Sequence, residues 1–408
     1  MRMVKPVRVL WTLGLAAVVL LPLARVASAT PEDVSIERSG SIIIFPKVVW
    51  DGTRDTIIQI GNTSNNMVHA RCFYVNAAPV NPLFPPGPTN LAQCNETDFD
   101  IWLTAQQPTI WVASLGRSAS FSLPGFAEVT ETIDDPSSFD SGFAPGLIPP
   151  VQQGFIGELK CVQVDASDAP LRANQLEGGA TIRSLSGDVS EYNALAFQGN
   201  TDMTFSDPLA SDQDDLVLDL TPTTAQADDG EYSACPDTLL LNHLAEGADD
   251  PVIDQLCTQA GAPCSSEPLS TELTLIPCSE NLENQIFGKV TIQFVVYNEF
   301  EQPFSTSTTV TCYLNLPLDE IGAPGNNPFT YTVLGSLAAY SRINPNPGNG
   351  GVIGVAEEFR SVDYDGDVSL PAAAIFNLHT EGNRFDAATD GKGNPVQGAT
   401  DHIIIPQP

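Results

Sequence analysis

Residues 55–75, DTIIQIGNTSNNMVHARCFYV, read as a strand, a turn and a second strand. β-Branched residues are frequent in the first part and favour extended backbone. The NTSNN segment at residues 62–66 suits a turn, because Asn side chains tolerate left-handed backbone geometry. After the turn the side chains alternate, and one face of the predicted strand carries Val68, Ala70, Cys72 and Tyr74. The stretch therefore predicts a β-hairpin with one face in a hydrophobic core.

A similar pattern returns at residues 290–314, VTIQFVVYNEFEQPFSTSTTVTCYL, where a strand, a turn and a strand again end beside a cysteine. Other short segments recur in the same order in both halves of the chain. The matched pairs are residues 41–46 with 272–277, 154–157 with 351–354, 192–194 with 376–378, and 238–241 with 402–405. The repeat distance exceeds the roughly 20–50 residues of solenoid arrays, which indicates two related domains.

The composition favours strands throughout. The chain has 31 glycines and 33 prolines in 408 residues, and Val, Ile, Thr and aromatic residues fall in short runs between turn residues. These features predict an all-β protein of two tandem, related β-sandwich domains, residues 30–247 and 268–408. A Cys-containing connector, residues 248–267, is expected to hold one short helix near residues 251–256. The strand at residues 238–242 is assigned to the end of the first domain.

The first 29 residues have the pattern of a signal peptide. A basic start precedes an apolar run at residues 9–23, and Ala27-Ser28-Ala29 matches a cleavage site. The apolar run is short for a membrane-spanning helix, and no later stretch approaches about 18 apolar residues. We therefore expect a cleaved signal peptide at residues 1–29, no membrane span in the mature chain, and a secreted or periplasmic location.

The chain is strongly acidic, with 17 basic and 50 acidic residues and a net charge of −33. Signal cleavage would remove four basic residues and no acidic ones, which takes the net charge to −37. Such a surface repels phosphate backbones and anionic lipids, so nucleic acid is excluded as a partner. The same charge favours solubility and raises the capacity for divalent cations.

All eight cysteines lie after the predicted signal peptide, and an even number in an exported chain predicts disulfides. Clustered Cys/His pairs at zinc-finger spacing are absent. We expect the pairs Cys72–Cys161, Cys278–Cys312, Cys257–Cys264 and Cys94–Cys235. A cysteine on the inward face of a strand is well placed to link two sheets, and Cys72 is the example here.

Motifs that carry catalysis are absent from the sequence. It contains no HExxH metal motif, no GxSxG nucleophile turn, and no phosphate-binding or dinucleotide-binding glycine loop. The four histidines, His69, His243, His379 and His402, lie in or beside predicted strands, and His69 is expected on a solvated face. We therefore expect no enzymatic activity, no catalytic residues and no residues that bind an organic cofactor.

The segment Asp363-Tyr364-Asp365-Gly366-Asp367 places alternating carboxylates around a glycine turn. Such a loop can offer oxygen ligands to calcium from one side. The spacing departs from an EF-hand loop and lacks its closing glutamate, so a plain Asp-Gly turn between strands is the favoured interpretation. Asp363, Asp365 and Asp367 are the candidate metal ligands, and calcium is the candidate cofactor.

Three tryptophans, Trp50, Trp102 and Trp111, lie near predicted strands. A line of exposed tryptophans would suit stacking on sugar rings. Large aromatic side chains more often belong to a core, and we expect that placement for these three.

Residues 55–76 resemble the strand–turn–strand opening of bacterial Ig-like extracellular modules. Together with GELKCVQVD, YNEFEQPFSTSTTVTCY and GVAEEF, they resemble a family of secreted bacterial proteins with tandem Ig-like β-sandwich modules, over roughly the whole mature length. The resemblance implies a fold and an exported location. It brings no known activity and no site residues to this chain.

These observations favour an exported, non-enzymatic structural or ligand-binding β-sandwich protein whose partner is an extracellular protein or a glycan. Two other functions stay open. One is a carbohydrate-active or other hydrolytic enzyme with an unrecognised pair of carboxylates, since two well-placed acids suffice for that chemistry. The other is a calcium-dependent adhesin.

Overall fold

The structure is a computed structural model of the chain. It describes residues 34–81, 83, 90, 92–117, 147–199, 217–219, 235–236, 238–260, 264–266, 268–278, 280–281, 287–322, 326–346, 351–364, 368–381 and 402–404. The predicted signal peptide at residues 1–29 lies outside these residues. Antiparallel sheets dominate the described part, so the predicted all-β fold class is confirmed. None of the helices in these ranges is long and apolar enough to cross a membrane.

Nine strands of the first half of the chain form the largest sheet. They are β1 Ile42–Trp50, β2 Arg54–Asn62, β3 Val68–Asn76, β4 Asn95–Leu103, β5 Pro108–Val112, β6 Phe155–Val164, β7 Leu176–Ser184, β8 Val189–Asn193 and β9 Leu195–Phe197. The order is β4-β3-β6-β1-β2-β7-β8, with β5 beside β2 and β9 beside β1. The predicted hairpin at residues 55–75 corresponds to β2 and β3, but these strands do not pair with each other.

The sheet folds into two layers because β1 bends. Its register with β6 shifts between Phe45 and Val48, where Pro46, which lacks an N–H, and Lys47 lie opposite the single residue Glu158. Before the bend β1 pairs with β9, and after it Trp50 pairs with β2. Side chains of β1, β3, β4 and β6 then pack against those of β2, β5 and β7 in one core. The result is a β-sandwich.

The second half forms two further sheets around a second core. Their strands are β11 Thr238–Leu244, β12 Cys264–Ser266, β13 Ser270–Pro277, β15 Lys289–Asn298, β16 Pro303–Thr311, β17 Leu314–Pro317, β18 Ala338–Pro345, β19 Val352–Tyr364, β20 Val368–Asn377 and β21 His379–Glu381. One sheet has the order β16-β15-β18-β11-β21, and the other has the order β12-β19-β13-β17 with β20 beside β19. Two helices, α1 Pro251–Ala260 and α2 Tyr331–Leu334, complete this half.

Strand β11 corrects one prediction. We assigned residues 238–242 to the first domain, but β11 pairs with β18 and β21 of the second half. A run of leucines predicts a buried strand without indicating which sheet it joins, so the sequence did not resolve this. The last strand, β22 His402–Ile404, joins a small sheet with β10 Val217–Asp219 and β14 Glu280–Asn281. The segments at residues 238–241 and 402–405 are therefore not equivalent.

The two halves share a core and the disulfide Cys94–Cys312. Apolar side chains on the outer face of β1, β3 and β6 pack against Ile276, Tyr313 and Ile353 of the second half. Disulfides Cys94–Cys312 and Cys235–Cys278 lie within the same cluster. The halves thus bury their facing surfaces against each other.

The disulfide predictions were partly right. Cys72–Cys161 is confirmed, although it joins directly opposite residues of neighbouring strands β3 and β6, with the Cα atoms 4.0 Å apart, and does not link two layers. The pairs Cys278–Cys312 and Cys94–Cys235 are wrong, because Cys94 bonds to Cys312 and Cys235 bonds to Cys278. Cys257 is disulfide-bonded. The side chain of Cys264 lies outside the described part of the structure, so the pair Cys257–Cys264 stays a prediction.

A buried charge also crosses between the halves. Lys47, at the β1 bend, is fully buried, and its Nζ lies 2.6 Å from Glu272 Oε2 and 2.6 Å from Glu357 Oε2. Glu272 and Glu357 are directly opposite each other on β13 and β19. Burial alone would raise the pKa of Glu272, but Lys47, Arg54 and the Asn315 amide together outweigh burial and lower the pKa of that carboxyl. The hydroxyl of Tyr192 donates to the Lys47 carbonyl at 2.6 Å and holds the bend.

Candidate functional site

A trough crosses the outward face of the layer made of β5, β2, β7 and β8. The strand registers place Ile110, Gln59, Gly179 and Asn193 in one row across the four strands. The next row is Pro108, Gly61 and Glu177. The volume of the trough is about 610 Å³. The trough exists because glycines stand where neighbouring rows would otherwise carry side chains.

Packing requires glycine at only one of the two adjacent glycine positions in β7. A Cβ on Gly178 would lie 2.6 Å from the ring of Phe45 and 2.8 Å from the Gln59 carbonyl oxygen, so core packing excludes any side chain there. A Cβ on Gly179 would find its nearest neighbour at 3.5 Å, an ordinary contact distance. Packing therefore tolerates a side chain at residue 179, and the glycine leaves open space above the sheet.

The segment before β1 forms one wall of the trough. Backbone hydrogen bonds fix it at two points: Ser35 N–H donates to the Ala196 carbonyl at 2.9 Å, and Gly40 N–H donates to the Leu176 carbonyl at 2.8 Å. Between these points, Ile36, Glu37 and Arg38 are exposed and line the trough. The wall thus adds an apolar side chain, a carboxylate and a guanidinium to the amides on the floor.

The opposite wall is held by Arg117. Its guanidinium donates to the Thr109 hydroxyl and to the Ile110 carbonyl, which are both on β5. Burial lowers the pKa of Arg117. Exposed Ile110 and Pro108 present an apolar edge on this side. The trough can therefore contact both polar and apolar groups of one ligand.

A second cluster, of polar side chains, lies near the start of β3. His69 is directly opposite Trp102 of β4, and the two rings stack at 3.9 Å between centroids with planes 5° apart. The Nε2 atom of His69 lies 3.1 Å from Asp100 Oδ1. Its Nδ1 atom lies 3.0 Å from the Asp165 carbonyl oxygen and 3.8 Å from Asp168 Oδ1. One ligand atom from each of His69, Asp100 and Asp168 falls within 4.8 Å of the other two.

Arg71 lies beside this cluster on β3. Its guanidinium is 2.7 Å from Asp98 Oδ2 and 3.4 Å from Asp168 Oδ2. The Nε atom of Arg71 is buried and has no hydrogen-bond partner among the described residues. Arg71 thus contacts Asp168 Oδ2, whereas Oδ1 of the same carboxylate is the oxygen 3.8 Å from His69.

The structure places the other predicted site residues apart from these features. Asp363 lies in β19, and its backbone pairs with Ser265 and Ser369. Asp365 and Asp367 lie outside the described residues, so the calcium site stays a prediction.

Two of the three tryptophans confirm the expected core placement. Trp111 is buried and donates its indole N–H to the Tyr74 hydroxyl at 2.7 Å, and Trp50 packs against the same core. Trp102 instead stacks on His69 at the edge of the sheet. The three side chains form no exposed row.

His69 was expected on a solvated face, and that prediction is wrong because only 7% of its side chain is exposed. His243 is buried between the Ser341 hydroxyl and the Leu244 carbonyl, and burial lowers its pKa to about 4. His379 is exposed. The side chain of His402 lies outside the described part.

No protein-family model matches the chain, and no curated protein matches it. Among solved structures, the chain is similar to a protein of Parabacteroides distasonis that is inferred to be secreted, with 10% identity and a TM-score of 0.15 over 79% of this chain and 86% of that one. It is also similar to a Pleurotus ostreatus lectin in its apo form, with 10% identity and a TM-score of 0.14 over 93% of this chain and 88% of that one. TM-scores this low carry no argument about fold or function.

Proposed function

We propose that this chain is an exported, non-enzymatic binding protein that holds an uncharged saccharide in the trough. The glycine floor carries the proposal. Gly179 leaves open space on the outward face of the sheet, Gly61 makes room for the Glu177 side chain, and Gln59 and Asn193 are in register with Gly179. A concave site with a few convergent polar groups and apolar walls is the usual form of a ligand site.

The pairing of the strands favours a saccharide over an extended peptide. A peptide that binds by strand addition needs a sheet edge with unpaired backbone groups. At the floor of the trough, β2 pairs with both β5 and β7, and β7 pairs with both β2 and β8. A ligand there must be held by side chains, and the planar amides of Gln59 and Asn193 can donate to and accept from sugar hydroxyls.

The charge of the rim favours an uncharged ligand. Two carboxylates, Glu37 and Glu177, outnumber the one guanidinium of Arg38 in the trough lining, and the whole chain has a net charge of −33. A uronic acid or a sulfated sugar would be repelled by these carboxylates. The carboxylates can still accept hydrogen bonds from hydroxyl groups, and Ile110 and Pro108 can contact the C–H face of a sugar ring.

An exported location is part of the same proposal. Three disulfides join cysteines that lie far apart in the sequence, and such bonds persist in oxidising compartments. The sequence pattern at residues 1–29 supports the same location.

A glycan array probed with the oxidised mature protein tests the proposal. We expect binding to neutral oligosaccharides and a loss of about tenfold or more in affinity in Gln59→Ala, because one buried ligand contact to an amide contributes about 1.5 kcal/mol. Gln293→Ala is the matched control, since Gln293 is likewise exposed in the middle of a strand, β15, and lies outside the trough. A blank array, or equal loss in both variants, would reject the trough as a saccharide site.

A further inference from the structure

We propose that His69, Asp100 and Asp168 bind one divalent transition-metal ion, such as zinc, at the edge of the first sandwich. This site is separate from the trough, and it was not predicted from the sequence. Three separate segments supply the ligands: His69 comes from β3, Asp100 from β4, and Asp168 from the turn after β6.

The surroundings of the imidazole carry the inference. Nδ1 faces a carbonyl oxygen and Nε2 faces a carboxylate oxygen, and both oxygens only accept hydrogen bonds. A neutral imidazole has one N–H, so one of its nitrogens would point a lone pair at an oxygen. Either a second proton or a cation must lie in that contact. A metal ion satisfies it without requiring a charged ring.

The distances suit coordination. A nitrogen and an oxygen that both bind zinc at about 2.0–2.2 Å lie roughly 3–3.5 Å apart, and Nε2 is 3.1 Å from Asp100 Oδ1. Nε2 is therefore the nitrogen that would bind the ion beside Asp100, and the Nδ1–H keeps the Asp165 carbonyl as its acceptor at 3.0 Å. Metal-binding histidines typically donate their second N–H to such a group, which fixes the ring orientation.

The remaining neighbours hold the ligands in place. Trp102 covers one face of the imidazole, and Arg71 contacts Oδ2 of Asp168, which leaves Oδ1 for the ion. The site stays open on the Asp100 side, where 45% of that side chain is exposed and water could complete the coordination. One nitrogen and two carboxylate oxygens without thiolate favour zinc or a similar ion over calcium, which prefers oxygen ligands alone.

Calorimetric titration of the oxidised mature protein with zinc, in excess calcium to occupy weak carboxylate sites, tests the inference. We expect one saturable zinc site whose affinity falls by about tenfold or more in His69→Gln and in Asp168→Asn. His379→Gln and Asp249→Asn are matched controls, because both residues are exposed and lie far from β3 in sequence and outside the cluster.

Fluorescence gives a readout that does not depend on the ligand variants. Cobalt or copper at the site should quench Trp102, which stacks on the metal-binding ring, and Trp102→Phe should remove the quenching while one zinc site remains. The absence of a saturable zinc site would show that the cluster is an ion pair only and would overturn the proposal. Wild-type zinc affinity in both ligand variants, or quenching unchanged in Trp102→Phe, would also overturn it.

Discussion

At the scale of single residues, His69 shows where alternation along a strand fails as a guide. Alternation places His69 on the face of β3 that points away from the first core. The side chain would be exposed if that outward face met solvent. Instead Trp102 and the turn at residues 165–168 cover the ring. Further along the same face, Phe73 packs in the core shared by the two halves. Both faces of β3 are covered, and the periodicity of a single strand does not predict the burial of its second face.

His243 gives a prediction about pH. Burial lowers its pKa from an ordinary 6.5 to about 4 in the folded chain. Between these values the unfolded chain takes up a proton that the folded chain does not, so stability falls as pH drops from about 6.5 to about 4. We expect His243→Gln to lose this dependence, which amounts to about 3 kcal/mol across the window. Urea unfolding of wild type and variant from pH 7 to pH 4.5 measures it.

The difference between variant and wild type is the informative quantity in that experiment. Glu246 changes the free energy of unfolding with pH in the opposite direction. Burial raises its pKa to about 7, so in the folded chain Glu246 keeps a proton above pH 4.5 that it loses in the unfolded chain. The Glu246 contribution is common to both proteins and cancels. Parallel curves for wild type and His243→Gln would show that His243 is not buried in its neutral form.

At the scale of elements, the trough depends on register. The Gly178-Gly179 pair is visible in the sequence, and glycine inside a strand signals a close approach or an open surface. Its partners are not visible, because Gln59 and Asn193 reach it only through the pairing of β2, β7 and β8. The sequence could therefore have indicated an unusual strand, but it could not have placed a ligand site on it.

The bend in β1 gives a second prediction at the scale of secondary-structure elements. Lys47→Met would leave Glu272 and Glu357 opposite each other without Lys47, and Arg54, 3.4 Å from Glu357, would be the neighbouring cation that remains. Removing one partner of a buried ion pair typically costs about 3–5 kcal/mol, and we expect a loss of that size in the free energy of unfolding at pH 7. Urea denaturation measures it.

Two further variants make the Lys47 experiment specific. Lys289→Met changes an exposed lysine at the start of β15 and should alter stability by no more than about 0.5 kcal/mol. Adding Glu357→Gln to Lys47→Met should recover part of the loss, because one of the two facing carboxylates is removed. A loss below about 1 kcal/mol in Lys47→Met would contradict the buried bridge between the halves.

At the scale of the whole molecule, composition and turn residues were enough to predict an all-β sandwich protein. The organisation of the halves was not predictable in the same way. Cys94 and Cys235 were expected to pair within the first domain, but each bonds to a cysteine of the second half. Local sequence reports strands and turns, whereas these bonds follow from apolar surfaces such as those of Phe73 and Ile276 meeting across the halves.

The shared core bears on function because it covers one face of the first sandwich and leaves another face exposed to solvent. The β1–β3–β6 face is covered by the second half, while the β5–β2–β7–β8 face keeps its trough open to solvent. A ligand is therefore expected in this open trough, where the Asn193 backbone at one end hydrogen-bonds to Asn377 of the second half.

The most direct measurement is a calorimetric titration of wild type and Gly179→Val with the neutral oligosaccharide that binds best on the array. The new side chain would occupy the open space above the sheet, where its Cβ meets its nearest neighbour at 3.5 Å. We predict at least about tenfold weaker binding, a loss of about 1.4 kcal/mol, with an unchanged unfolding temperature. Wild-type affinity in a folded Gly179→Val protein would contradict the claim that the trough holds the ligand.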